Sequence, residues 1–163
     1  MAGAEVAPNA FEINIDFCNE IASSELTGIS LMKIEHMALN VADPVAMAAW
    51  YVEHLGVSIV HRKDDTPRTH FLADTGGNVL LEIYNNPPDQ VPLYMDMDPL
   101  ILHLAFESVN PAADAKRLIE AGARWVEEVH LDDGSHLVML RDPWGLALQI
   151  CKRGKPLLHA SPE

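Results

Sequence analysis

The chain has 163 residues and is 48% hydrophobic, enough to bury the core of one globular domain and too apolar for disorder throughout. Its 24 acidic residues against 11 basic ones give a formal charge of −13, which repels nucleic-acid phosphates and anionic membrane surfaces, so neither is an expected partner. Two cysteines, Cys18 and Cys151, form no disulfide framework. With no apolar run of membrane-spanning length and no secretory leader pattern, the expected setting is the cytoplasm.

Residues 1–32 are read as an N-terminal arm. Within it Phe11, Ile13, Ile15 and Phe17 alternate with polar residues, a two-residue period that lets a strand bury one face on the domain or on a second subunit. A strand near residues 33–41 follows. Asp43 then reads as an N-cap, Pro44 as the first helical residue and Gly56 as the stop of a helix over 45–55. Three short strands come next, near 57–63, 68–74 and 78–85. Residues 87–99, with Pro87, Pro88, Pro92 and Pro99, read as a linker without regular structure. The grammar then repeats, with a strand near 100–108, Asn110 and Pro111 opening a helix that ends at Gly122, and strands near 124–130, 136–141 and 146–152. Asp133-Gly134 and Asp142-Pro143-Trp144-Gly145 mark the turns. The expected organisation is therefore an α+β fold of two βαβββ modules, 33–86 and 100–152, with a short polar tail over 153–163.

Four polar side chains interrupt the apolar strands at repeat-related positions. His36 and Glu82 are 46 residues apart, as are His103 and Gln149, and each member of the first pair lies 67 residues before its counterpart. The strand pleat sets His36 on the face of Ala38, His103 on that of Ala105, and Gln149 with Ala147 and Cys151, so small neighbours leave room beside each polar group. A carboxylate such as Glu82 between Leu81 and Ile83 needs a cation or hydrogen-bond donors, because leaving it unpaired costs several kcal/mol. Two histidines, a carboxylate and an amide on two related modules read as a shared metal site.

The segments "EHMALNVADP", "NVLLEIYN", "LHLAFESVNP" and "RDPWGLALQI" make residues 33–152 resemble the vicinal oxygen chelate superfamily, which holds glyoxalases, extradiol dioxygenases and bleomycin-resistance proteins. The resemblance implies two modules forming a cupped mixed sheet with helices outside, and a divalent ion (Zn, Ni, Co, Mn or Fe(II)) held by His36, Glu82, His103 and Gln149. It also implies a glyoxalase-like lyase or isomerase that acts on a small molecule with vicinal oxygens through an enediolate-like intermediate. Gln149 departs from the Glu found there in many metal-dependent isomerases. An amide can ligate but is no base near neutral pH, so Glu82 becomes the proton shuttle. Alternatives within the resemblance are an Fe(II) dioxygenase using His36, His103 and Glu82, and a non-catalytic module that sequesters a small molecule. A homodimer is expected.

Other residues carry bland readings. Arg62, Lys63 and Arg68 could hold an anionic substrate group but read as a solvated hairpin, and His61 and His70 beside them as surface residues. Trp144 reads as an aromatic plug, and Trp50 and Trp125 as core or interface. His54, His130, His136 and His159 carry no argument.

Overall fold

Each helix begins where a short polar side chain meets a proline. The computed structural model describes residues 32–77 and 80–157; the alternation Phe11 to Phe17 and the last six residues lie outside them. Strand β1 (Met37–Asn40) leads to helix α1 (Pro44–Leu55), where the Asp43 carboxylate accepts from the Ala46 N–H at 3.1 Å and Pro44 fills the first turn. Gly56 ends the helix in the left-handed region at φ 73°. Strands β2 (Ser58–Arg62), β3 (His70–Ala73) and β4 (Leu80–Tyr84) complete the first unit. The second comprises β5 (His103–Glu107), α2 (Pro111–Glu120), β6 (Arg124–His130), β7 (His136–Arg141) and β8 (Ala147–Lys152), with Asn110 capping the Ala113 N–H at 3.2 Å.

The two units share one topology. Sheet orders are β1-β4-β3-β2 and β5-β8-β7-β6, parallel between the first pair of each and antiparallel elsewhere. These are the two mixed four-stranded sheets of the expected α+β architecture.

One face of each sheet packs on the helices. Leu39, Leu72, Leu81 and Ile83 meet Met47, Ala48 and Tyr51 of α1, while Val138, Leu140 and Ile150 meet Ala115 and Leu118 of α2. The first cluster also takes in Leu146 and Leu148 of the second unit, and Trp50 and Leu55 pack against both clusters. Burying a side chain such as Met47 or Tyr51 contributes roughly 1.5–3 kcal/mol. Polar bonds cross the same seam. The Trp50 indole donates to the Ala121 carbonyl at 2.8 Å, and Arg117 of α2 to the His54 carbonyl at 2.7 Å.

The segment expected to lack regular structure is better ordered than its prolines suggest. It contains two short 3-10 turns, Pro88–Gln90 and Tyr94–Asp96, and Tyr94 is buried. The Tyr94 hydroxyl donates to the Asn40 carbonyl at 2.9 Å, and the Arg141 guanidinium donates to the carbonyls of Tyr94, Met97 and Gly145 at 2.6–2.8 Å. Tertiary partners thus supply the order that local propensity withholds. Gly145 is required beneath it: with φ 93°, any Cβ would lie 2.7 Å from the Met95 nitrogen.

The Asp142 carboxylate is buried in the turn before β8. It accepts from the Trp144 and Leu146 N–H groups, both at 2.9 Å, and from the Tyr51 hydroxyl of α1 at 2.8 Å. Loss of hydration outweighs these donors and pushes its pKa up to about 6. Burial, reinforced by the nearby carboxylate, holds the Tyr51 phenol well above its ordinary range, so it remains a donor.

A raised folded pKa means that the stability contributed by the protonated acid is present in full below the unfolded value and is lost as pH rises through about 6. From this group, stability is expected to fall by on the order of 2–3 kcal/mol between about pH 4 and pH 7. Asp142→Asn keeps an oxygen for the N–H donors but cannot titrate, so urea denaturation should show that component missing. Parallel pH profiles for the two proteins would refute it.

Candidate metal centre

The pleat of the first sheet assembles one polar cluster on the face away from α1. Register pairs Ala38 with Glu82, Glu82 with Phe71, and Phe71 with His61, so these side chains form a row across four strands. His36 lies one residue ahead of β1, on the side of Ala38. Its Nε2 is 3.3 Å from a Glu82 oxygen, with the two side chains 36% and 20% exposed. The other ring nitrogen, Nδ1, bonds the Glu35 carboxylate, and the ring meets Phe71 edge-on at 5.7 Å between centroids. The hydrogen bond to Glu35, with the charges of Glu35 and then Glu82, raises the His36 pKa above its usual value against a smaller opposing loss of hydration.

The second sheet repeats the arrangement. Ala105 pairs with Gln149, Gln149 with Met139, and His103 lies two residues before Ala105. His103 Nδ1 bonds the Pro99 carbonyl at 2.8 Å. In a neutral imidazole that contact places the proton on Nδ1 and leaves Nε2 as the acceptor. Both histidines therefore have Nδ1 tied to an oxygen acceptor, with Nε2 facing Glu82 in His36 and left as an acceptor in His103; a tied Nδ1 is what orients metal-ligating histidines in general. Nitrogen and oxygen donors of this kind fit a borderline divalent ion.

The geometry brings His36 and Glu82 together but leaves His103 apart from them. Among the described residues the only set of three or more His, Cys, Asp or Glu donors within 4.8 Å of one another is Glu128, His130 and His136, on a different face. Arg62 pairs loosely with Asp64 at 3.5 Å, both well exposed, in keeping with a solvated hairpin. His70 corrects its surface reading: it is only 3% exposed, on the face of Leu72, with Nδ1 bonded to the Arg68 carbonyl at 2.8 Å. Trp144 packs against the core as expected, whereas Trp125 is 59% exposed and outside it. Sequence reasoning passed over Glu35, whose only signal was an acidic residue adjacent to His36.

The profile of the Glyoxalase/Bleomycin resistance protein/Dioxygenase superfamily matches residues 33–150. The chain belongs to that superfamily. It is similar in fold to a glyoxalase-family protein from Bacillus cereus, with TM-score 0.66 and 14% identity over 78% of this chain and 98% of that one. An antibiotic-binding protein from a Streptomyces species is likewise similar, with TM-score 0.60 and 19% identity over 77% and 98% of the two chains. A glyoxalase-family protein from Enterococcus faecalis gives TM-score 0.56 and 27% identity over 75% and 98%. No curated protein matches the chain. No helix among the described residues is long and apolar enough to cross a membrane.

If Glu35 is the main support of the raised His36 pKa, Glu35→Gln should move that pKa down. An NMR pH titration of the His36 ring protons reads the shift directly, and an unchanged midpoint would show that Glu35 is not the cause.

Proposed function

We propose that this protein is a metal-dependent lyase or isomerase of the glyoxalase type, with a divalent ion (Zn, Ni, Co, Mn or Fe(II)) held by His36, Glu82, His103 and Gln149. The observation that carries the reading is the matched presentation of Nε2 by His36 and His103, each with its Nδ1 tied back, and with Glu82 against the first. When bound, the ion supplies positive charge for the oxygens of a substrate such as a hydroxy-ketone or hemithioacetal. Glu82 would take the proton from the carbon that bears the hydroxyl, leaving an enediolate-like intermediate, and deliver it to the neighbouring carbonyl carbon, so that carbonyl and hydroxyl exchange places. Gln149 ligates without exchanging protons, which keeps the two ends of the site chemically unequal. Phe71 walls the site next to His36 and limits water around the moving proton.

A non-catalytic, small-molecule-binding role is the second reading. It is supported by the neutral Gln149 and by His103 not joining His36 and Glu82 in one close donor set. The proposed setting is the cytoplasm.

Elemental analysis of protein purified without chelator or added metal should find a bound divalent ion. Hydroxy-ketones and hemithioacetals in D2O should then exchange their carbon-bound proton. Glu82→Gln with metal retained should cut that exchange by about 10²–10⁴-fold, while Gln149→Glu largely preserves it. Exchange unaffected by Glu82→Gln would reject the base assignment, metal-free protein with intact ligand binding would favour sequestration, and oxygen uptake would indicate a dioxygenase.

The expected homodimer belongs to the same proposal. Exposed Leu93, Leu100 and Ile101, each at least 74% accessible, support it as surfaces for a second copy. Light scattering at micromolar concentration should return twice the chain mass, and a monomer would reject it.

A further inference from the structure

The hairpin of β6 and β7 gathers Glu128, His130 and His136 on one side. His130 pairs with His136 in the ladder and Glu128 with Val138. The Leu131 N–H donates to the Ser135 carbonyl at 2.9 Å, so the alternation of an antiparallel ladder makes the next pair, His130 and His136, the closely approached non-hydrogen-bonded kind. Their rings stack with centroids 4.1 Å apart and planes 20° from parallel. Glu128, two residues before His130, reaches both. One of its oxygens lies 2.7 Å from His136 Nε2 and 3.5 Å from His130 Nε2.

These positions face the helix side of the sheet. Val138, opposite Glu128, is buried against α2, whereas Met139, opposite Gln149, points the other way. The cluster therefore cannot contribute to the centre around His36 and Glu82.

We propose that Glu128, His130 and His136 form a second, independent site for a borderline divalent transition metal such as Zn²⁺ or Cu²⁺. Ligands of a tetrahedral ion with bonds of about 2.0–2.1 Å lie roughly 3.3 Å apart, and the two Glu128–histidine spacings already bracket that value. Two imidazoles and one carboxylate are donors that this class of metal prefers. The support is held in place: the Ser135 N–H donates to the Asp133 carboxylate at 2.8 Å, and the Ser135 hydroxyl accepts from the Gly154 N–H at 3.0 Å. His136 is the least exposed of the three side chains, at 16%, which anchors the set on its inner side. A three-ligand site keeps an open position, and Glu128 also lines a hollow of about 310 Å³ with Trp125, Ile119 and Ala112, so there is room for an exogenous ligand there.

The test uses the full-length, tag-free, metal-stripped protein carrying His36→Ala and Glu82→Gln, which removes the other proposed centre. Zn²⁺ alone, titrated by calorimetry, should bind at one equivalent. Adding His130→Ala or His136→Ala should weaken that binding at least about tenfold. Circular dichroism would confirm that each variant is folded, and ¹⁵N spectra of the histidine rings should show Zn²⁺ shifting the Nε2 signals of His130 and His136. Failure of the folded background protein to take up Zn²⁺, or uptake indifferent to both histidine substitutions, would overturn the proposal.

Discussion

A single buried carboxylate joins the two repeats. Asp142 belongs to the last turn of the second unit, yet the strongest donor it meets, the Tyr51 hydroxyl, belongs to the first helix. An ionised carboxylate out of water is costly, and its hydrogen bonds only partly offset that, so the group's value lies in fixing a place rather than in adding net stability. The turn it organises sets the start of β8 and, through it, the position of Gln149. Trp50, Tyr51 and Leu55 then do for the apolar seam what Asp142 does for the polar one, so α1 serves both units.

What was legible in the sequence was local or periodic. The caps Asp43 and Asn110, each followed by proline, marked both helix starts because capping needs only residues three positions apart. The boundaries of β6 and β7 follow from Asp133-Gly134 and Asp142-Pro143 for the same reason. The burial of His70, read as a surface residue, and that of Tyr94 were not legible because neither is decided locally. His70 sits among charged hairpin residues but inherits its side from Leu72, and Tyr94 is held by Asn40 and Arg141, far away in the chain.

At the candidate centre, the repeat pointed to the four polar residues, and the register pairs Ala38 with Glu82 and Ala105 with Gln149 in matching fashion. Glu35 was invisible for a geometrical reason. A strand running through residue 36 would send its neighbour to the opposite face, but β1 starts at Met37, so the preceding residues are free of the pleat and Glu35 can reach the imidazole. The hairpin trio was equally hidden, since His130 and His136 meet only once the register across their turn is known.

The strap formed by Tyr94 to Met97 has a topological consequence. Chains built from two similar units are prone to exchanging halves, so that one copy's first unit docks on another copy's second, and a free connector makes that exchange inexpensive. Here Arg141 grips the connector at two carbonyls and Tyr94 is inserted beside Asn40, so an exchanged dimer would have to extract a buried aromatic ring and strip donors from partly buried acceptors. These contacts favour pairing of the halves within one polypeptide over their exchange between copies.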